Sequence, residues 1–161
     1  MKLIYENNDK SSICVLNIFF PITLDVEKNL LGIGSFVLSM FLKGTKKYAE
    51  PKLAFLMESK ALNISFSRRE EYLNISILFD KNNLSFEEFI TIFEEILVNP
   101  RFDVQEIEKL KSEYKNEIKA RYDEIFNICN DEFLKNIYGA QNYKSFLAFG
   151  NEQSIDKIQR E

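Results

Sequence analysis

Two rhythms of apolar and polar residues run along this chain. Short runs with a period near two predict strands at Lys2–Glu6 (KLIYE) and Ile13–Phe20 (ICVLNIFF). The polar turn NNDKSS joins them, and Pro21 closes the second. That second run is apolar at nearly every position, which predicts a strand covered on both faces or lying mid-sheet. Leu62–Ser67 (LNISFS) and Leu73–Phe79 (LNISILF) alternate around the charged tip Arg68–Glu71, the pattern of a β-hairpin with half-buried strands. Both strands contain N-x-S, at Asn63 and Asn74. Strand alternation accounts for those matches better than glycosylation, whose acceptors belong in exposed loops.

Elsewhere the period lengthens to that of a helix. Leu30–Gly44 (LLGIGSFVLSMFLKG) is almost unbroken apolar sequence, with Gly32, Ser35 and Ser39 recurring at +3 and +4 as one stripe of small residues. A helix apolar on most sides is buried on most sides, and a rise of about 22 Å is too short for a bilayer. Thr23 and Asp25 precede this helix, and Gly44 is its expected C′ residue. Glu50-Pro51 opens another helix, with Leu53, Leu56, Met57 and Lys60 on its buried side. Ser85 and Glu88 form a capping box ahead of the stripe Phe86, Phe89, Ile90, Phe93, Ile96 and Leu97, which Asn99-Pro100 stops. Asp103 and Glu106 suggest a second box, opening a long helix through about Phe126. Its apolar stripe is Val104, Ile107, Leu110, Tyr114, Ile118, Tyr122 and Ile125, and Glu and Lys fill its solvated face. Phe133–Tyr138 is a shorter helix ended by Gly139. Past an aromatic loop (Tyr143, Phe146, Phe149), Gly150 leads into a last helix from about Glu152.

The element order ββ-α-α-ββ-α-α-α-α predicts an α+β two-layer sandwich, an antiparallel sheet with helices packed on one face. The sequence stops inside a helix with no closing strand. Residues 1–161 are therefore expected to form a single domain, incomplete at its C-terminal end.

Composition narrows the chemistry. The chain is 45% apolar and 29% charged, a globular balance, and its net charge of −4 argues against the basic face that nucleic acid requires. Histidine is absent altogether. The usual general base, the commonest zinc ligand and every Ser-His or Cys-His nucleophile pair are missing with it. Cys14 and Cys129 lie far apart among apolar neighbours, as buried inert thiols do. No charged n-region followed by an apolar h-region opens the chain, which points to a cytoplasmic address and no membrane.

Three segments carry a family resemblance: KGTKKYAEPKLAFLMESKALNISFSRREE after the apolar helix, NPRFDVQEIEKLKSEYKNEI in the middle, and GNEQSIDKIQRE at the end. In order and spacing they resemble the pitrilysin/insulinase group of inverted-motif zinc peptidases, which includes mitochondrial processing peptidase. The resemblance covers the first of the two related domains such chains contain. In that family H-x-x-E-H stands immediately before the K-G-T block. Here Ser35-Phe36-Val37-Leu38-Ser39 stands there, so hydroxyls replace both imidazole ligands and Leu38 replaces the general base. Serine hydroxyls are poor zinc ligands, and nothing remains to activate a water. The distal ligand position corresponds to Glu117, with Glu113 as the other choice.

The resemblance implies a non-catalytic subunit or fragment that holds no cofactor of its own. It would complete a peptide-binding chamber as a heterodimer with an active partner carrying zinc on H-x-x-E-H, or with the remainder of its own chain. The segment Ala61, Leu62, Asn63, Ile64 and Ser65 corresponds to the family's substrate-binding edge, where an extended peptide adds as a strand. Lys60-Ala61 replaces the Gly-Gly common before it. Two bland alternatives stand beside these readings: the small stripe serves helix packing, and the chain is a purely structural module.

Overall fold

Two antiparallel pairings build the sheet. The computed structural model describes residues 2–27 and 30–160. Strand β1 (Ile13–Pro21) pairs along its whole length with β3 (Tyr72–Asp80), from Ile13 opposite Asp80 to Pro21 opposite Tyr72. The other side of β3 takes β2 (Asn63–Arg68), from Asn63 opposite Leu78 to Arg68 opposite Leu73. The order is β1-β3-β2, so β1 and β2 are both edges. Period-two alternation sends Ile64, Ile75, Ile77 and Phe79 to one face, where α2 (Glu50–Ser59) and α3 (Phe86–Val98) cover them. This is the expected α+β layering. Leu53 of α2 and Phe89, Ile92 and Ile96 of α3 complete that first core.

A second core is built mainly on helices. It joins α1 (Ile33–Met40), α4 (Val104–Asp123) and the short α6 (Glu152–Asp156) through Phe36, Met40, Ile107, Leu110, Tyr114, Ile118, Ile155 and Ile158. The remaining helix, α5 (Ile125–Tyr138), follows α4 after one extended residue, Glu124 (φ −93°, ψ 111°).

Several expectations are corrected. Leu3, Ile4 and Tyr5 are exposed and lie outside the sheet, because the alternation of Lys2–Glu6 meets no partner strand among the described residues. β1 is covered on one face alone: Val15 and Phe19 point outward at 58% and 61% exposure. The apolar helix is α1, shorter than Leu30–Gly44; it ends at Met40, and Phe41 and Leu42 turn away to pack on the sheet core. In α3 the buried phase runs through Ile92 instead of Phe86 and Ile90, which are exposed. The long helix stops at Asp123, so Ile125 belongs to α5, and Val104, Tyr122 and Ile125 are all exposed. Asp103 does cap α4, accepting from the Gln105 N–H, without a reciprocal bond from Glu106. Neither cysteine is buried: Cys14 is half-covered and Cys129 is exposed on α5.

Candidate functional site

The start of α1 is fixed by close backbone packing. Gly32, its N-cap, has φ +91°, and a Cβ there would lie 2.4 Å from the Phe149 carbonyl oxygen. Gly150 answers from the opposite side at φ +79°, where a Cβ would meet Leu31 O at 2.1 Å. Only glycine permits this back-to-back approach. The Gly32 N–H donates to Glu27 Oε2 (3.0 Å), on the 3-10 turn Leu24–Glu27, and the other Glu27 oxygen accepts from Arg68 Nε (3.0 Å). Arg68 ends β2 and also donates to the Ile22 carbonyl (2.7 Å). One buried ion pair thus ties the end of β1, the start of α1 and the hairpin together.

Along the next turns of α1, Ser35 donates to Ala148 O at 2.5 Å and the Ser39 hydroxyl lies 2.9 Å from the Tyr114 hydroxyl of α4. Leu38, between them, is 5% exposed. All three line a cleft of about 400 Å³ together with Ile64 and Ser65 of β2 and Tyr114 and Glu117 of α4. Phe66, Arg68 and Phe149 complete much of its wall. Burial pushes the Tyr114 phenol above its usual value, against a lowering contribution from Ser39. For Lys43, just beyond α1, burial acts to lower its value. The Glu50 hydrogen bond and the charges of Glu50, Glu113 and Glu106 outweigh it, so the lysine ends raised.

The residues singled out in the sequence therefore converge in part. Ser35, Leu38, Ser39, Ile64, Ser65 and Glu117 share the cleft. Ala61 and Asn63 are exposed outside its lining, Ala61 in the left-handed region (φ +49°), and Leu62 packs into the sheet core. Glu113 is half-buried and outside the lining, which leaves Glu117 as the one carboxylate there among the described residues.

This donor set does not fit zinc. Both hydroxyls are engaged with internal partners, Leu38 offers no ligand atom, and one carboxylate is too few. No group of three His, Cys, Asp or Glu that could hold a metal ion occurs among the described residues.

The sequence places Arg68 at the hairpin tip and Tyr114 in a packing stripe. Arg68 is buried at the end of a strand, and the parity of Ile64, Phe66 and Arg68 was the available signal. Nothing local marks Tyr114 as the partner of Ser39, 75 residues earlier.

The model of the insulinase family (peptidase family M16) matches residues 2–148. This chain belongs to the insulinase family. A curated relative, the non-peptidase homolog YmxG of Helicobacter pylori, is 28% identical over 132 residues, 82% of this chain and 30% of that protein. Among solved structures, the inactive domain of a peptidase M16 from Pseudomonas fluorescens superposes with a TM-score of 0.83 at 15% identity. That match covers 93% of this chain and 36% of the other. A protease from Helicobacter pylori follows at TM-score 0.79 and 13% identity, covering 92% and 36%. The chain spans about a third of the length of these relatives, and at such identities the structures speak for the fold alone.

Proposed function

We propose that this chain is a non-catalytic insulinase-family domain that forms one wall of a peptide-binding chamber. Hydrolysis there would be performed by a partner carrying zinc on an intact H-x-x-E-H, or by the remainder of a longer chain. The observation that carries this reading is the cleft itself. The motif positions Ser35, Leu38 and Ser39 face the edge strand β2 across a space of about 400 Å³, while the groups that perform metal chemistry are gone. Among the described residues β2 pairs with β3 on one side only, so an extended peptide has a backbone edge to join. The non-peptidase relative supports the loss of catalysis.

Co-expression with a sister chain carrying the intact motif tests it. The expected result is a stable complex that hydrolyses peptides faster than the sister alone. A sister that neither binds this chain nor gains activity overturns the proposal. A second reading, a purely structural module, is favoured by the engagement of Ser35 and Ser39 in internal hydrogen bonds. It predicts a stable assembly that contains the chain but shows no affinity for extended peptides.

A further inference from the structure

One charge in the cleft is left unanswered. Glu117 of α4 lines it and is exposed, and among the described residues no ion pair reaches its carboxylate. Two cations stand where they could have answered it. Arg121 follows at i+4, the spacing at which a glutamate and an arginine pair along a helix. It turns to α5 instead, donating to Asp131 Oδ1 (2.6 Å) and Asn127 Oδ1 (3.1 Å). Arg68 is the one cation in the cleft lining among the described residues, and it is bound to Glu27 at 3.0 Å with both side chains buried. Lys115 and Lys119 stand two positions away on α4, a spacing that points them to other sides, and Lys115 pairs with Asp156 of α6. Glu113, at i−4, adds only like charge.

An unpaired carboxylate on an open helix face is commonplace. This one differs in its surroundings. The cleft sets it among Leu38 of α1, Leu42 beyond it, Ile64 and Phe66 of β2, and Phe149. The hydroxyls of Ser35 and Ser39 are engaged with Ala148 O and Tyr114, and the Arg68–Glu27 pair carries no net charge. What remains is an apolar trough of about 400 Å³ with one net negative charge in its lining. A neutral peptide leaves that charge without a partner, and an acidic side chain repels it. A long basic side chain matches both parts: its methylenes lie on the apolar wall while its cation meets the carboxylate.

We propose that the cleft selects peptides carrying a lysine or arginine side chain, whose cation pairs with Glu117. The inference rests on the peptide-binding role proposed above and names the class of peptide it takes. A peptide added to β2 sends successive side chains to opposite faces of the sheet. One position of the peptide should therefore carry the preference, and its immediate neighbours should not.

The test uses the whole chain and a short fluorescent host peptide, blocked at both ends so that no terminal charge takes part. Lysine, norleucine or glutamate is placed at each position in turn, and binding is read by anisotropy at low salt. At one position lysine should bind about fivefold more tightly than norleucine, with glutamate weaker still, and the advantage should shrink at high salt. Norleucine shares the stem of lysine, so the difference isolates the charge. Glu117→Gln should bring the lysine peptide down to the level of norleucine, and Glu117→Lys should turn the preference toward glutamate. Equal binding of the three peptides at every position overturns the basic preference and leaves the peptide cleft standing. A lysine preference that survives Glu117→Gln also overturns the proposal, because another group then reads the charge. Failure of every peptide to bind removes the cleft reading and this inference together.

Discussion

The two cores of this domain are assembled by different means. The sheet core is built mostly from neighbours: a hairpin of β2 and β3 and helix α3, which follows directly. Its side chains meet through stacked rings, with Phe89 4.9 Å from Phe79 and 5.5 Å from Phe93. The helical core joins the first quarter of the chain to the last. Its contacts include polar pins across great separations, Ser35 to Ala148 over 113 residues and Ser154 to Leu31 over 123. The cleft lies on the seam between the two. One core is thus specified by hydrophobic area and alternation, the other by directional bonds and the absence of a Cβ at two points. Area tolerates approximation; directional bonds and close backbone contacts do not.

The sheet core breaks most expensively. Phe89→Ala removes a fully buried ring and should cost roughly 3–5 kcal/mol in urea denaturation, with lost hydrogen-exchange protection centred on β3 and α3. Arg68→Met attacks the seam. It leaves Glu27 charged and buried without its partner, at about 3–5 kcal/mol, and adding Glu27→Leu should recover much of that loss. No recovery in the double variant would mean that the bonds of Arg68 to the backbone outweigh the pair. Ser154→Ala probes the helical core alone. It removes the N3 side of the α6 capping box and the donor to Leu31 O, for about 1–2 kcal/mol, and protection should fall around the start of α1 while β3 keeps its own. Equal loss in β3 would show that the cores unfold as one unit.

Smaller still is Ser39→Ala, at about 1 kcal/mol. Its sharper signature is optical: without the lowering contribution of Ser39, ultraviolet titration should find the Tyr114 phenol ionising at higher pH than in the parent. The same tyrosine sets a pH trend. Its folded value lies above the ordinary phenol value of about 10, so the unfolded chain releases its proton first. Its contribution to stability is intact below that ordinary value and declines as pH climbs toward the folded one. Tyr114→Phe should flatten this alkaline decline.

Legibility in the sequence followed the same division. Alternation placed β2 and β3 within a residue or two, and the Ser85–Glu88 capping box fixed the start of α3, because these signals are local. Phase errors arose where a helix carries apolar residues on more than one side. In α3 the sequence offers Phe86, Ile90 and Ile92 alike, and only the position of the sheet selects Ile92. The break at Glu124 has no proline or glycine to announce it, and both flanking segments are helical. At the cleft, the family resemblance singles out Ser35, Leu38, Ser39 and Glu117, and these share one lining with Ile64 and Ser65 of β2. Tyr114 and Arg68 were not legible, since their partners lie on other elements.

The back-to-back approach of Gly32 and Gly150 also sets an order of events as the chain folds. Those residues are separated by most of the molecule, and long loops close slowly because their entropy is lost before any contact is gained. The hairpin and α3 face no such delay. The cleft is therefore expected to take shape last, with Phe36 and Met40 of α1 uncovered until it does. Pulse-labelled exchange during refolding should see β3 protected ahead of α1. A nascent chain should hold its β2–β3 hairpin before it possesses a cleft at all.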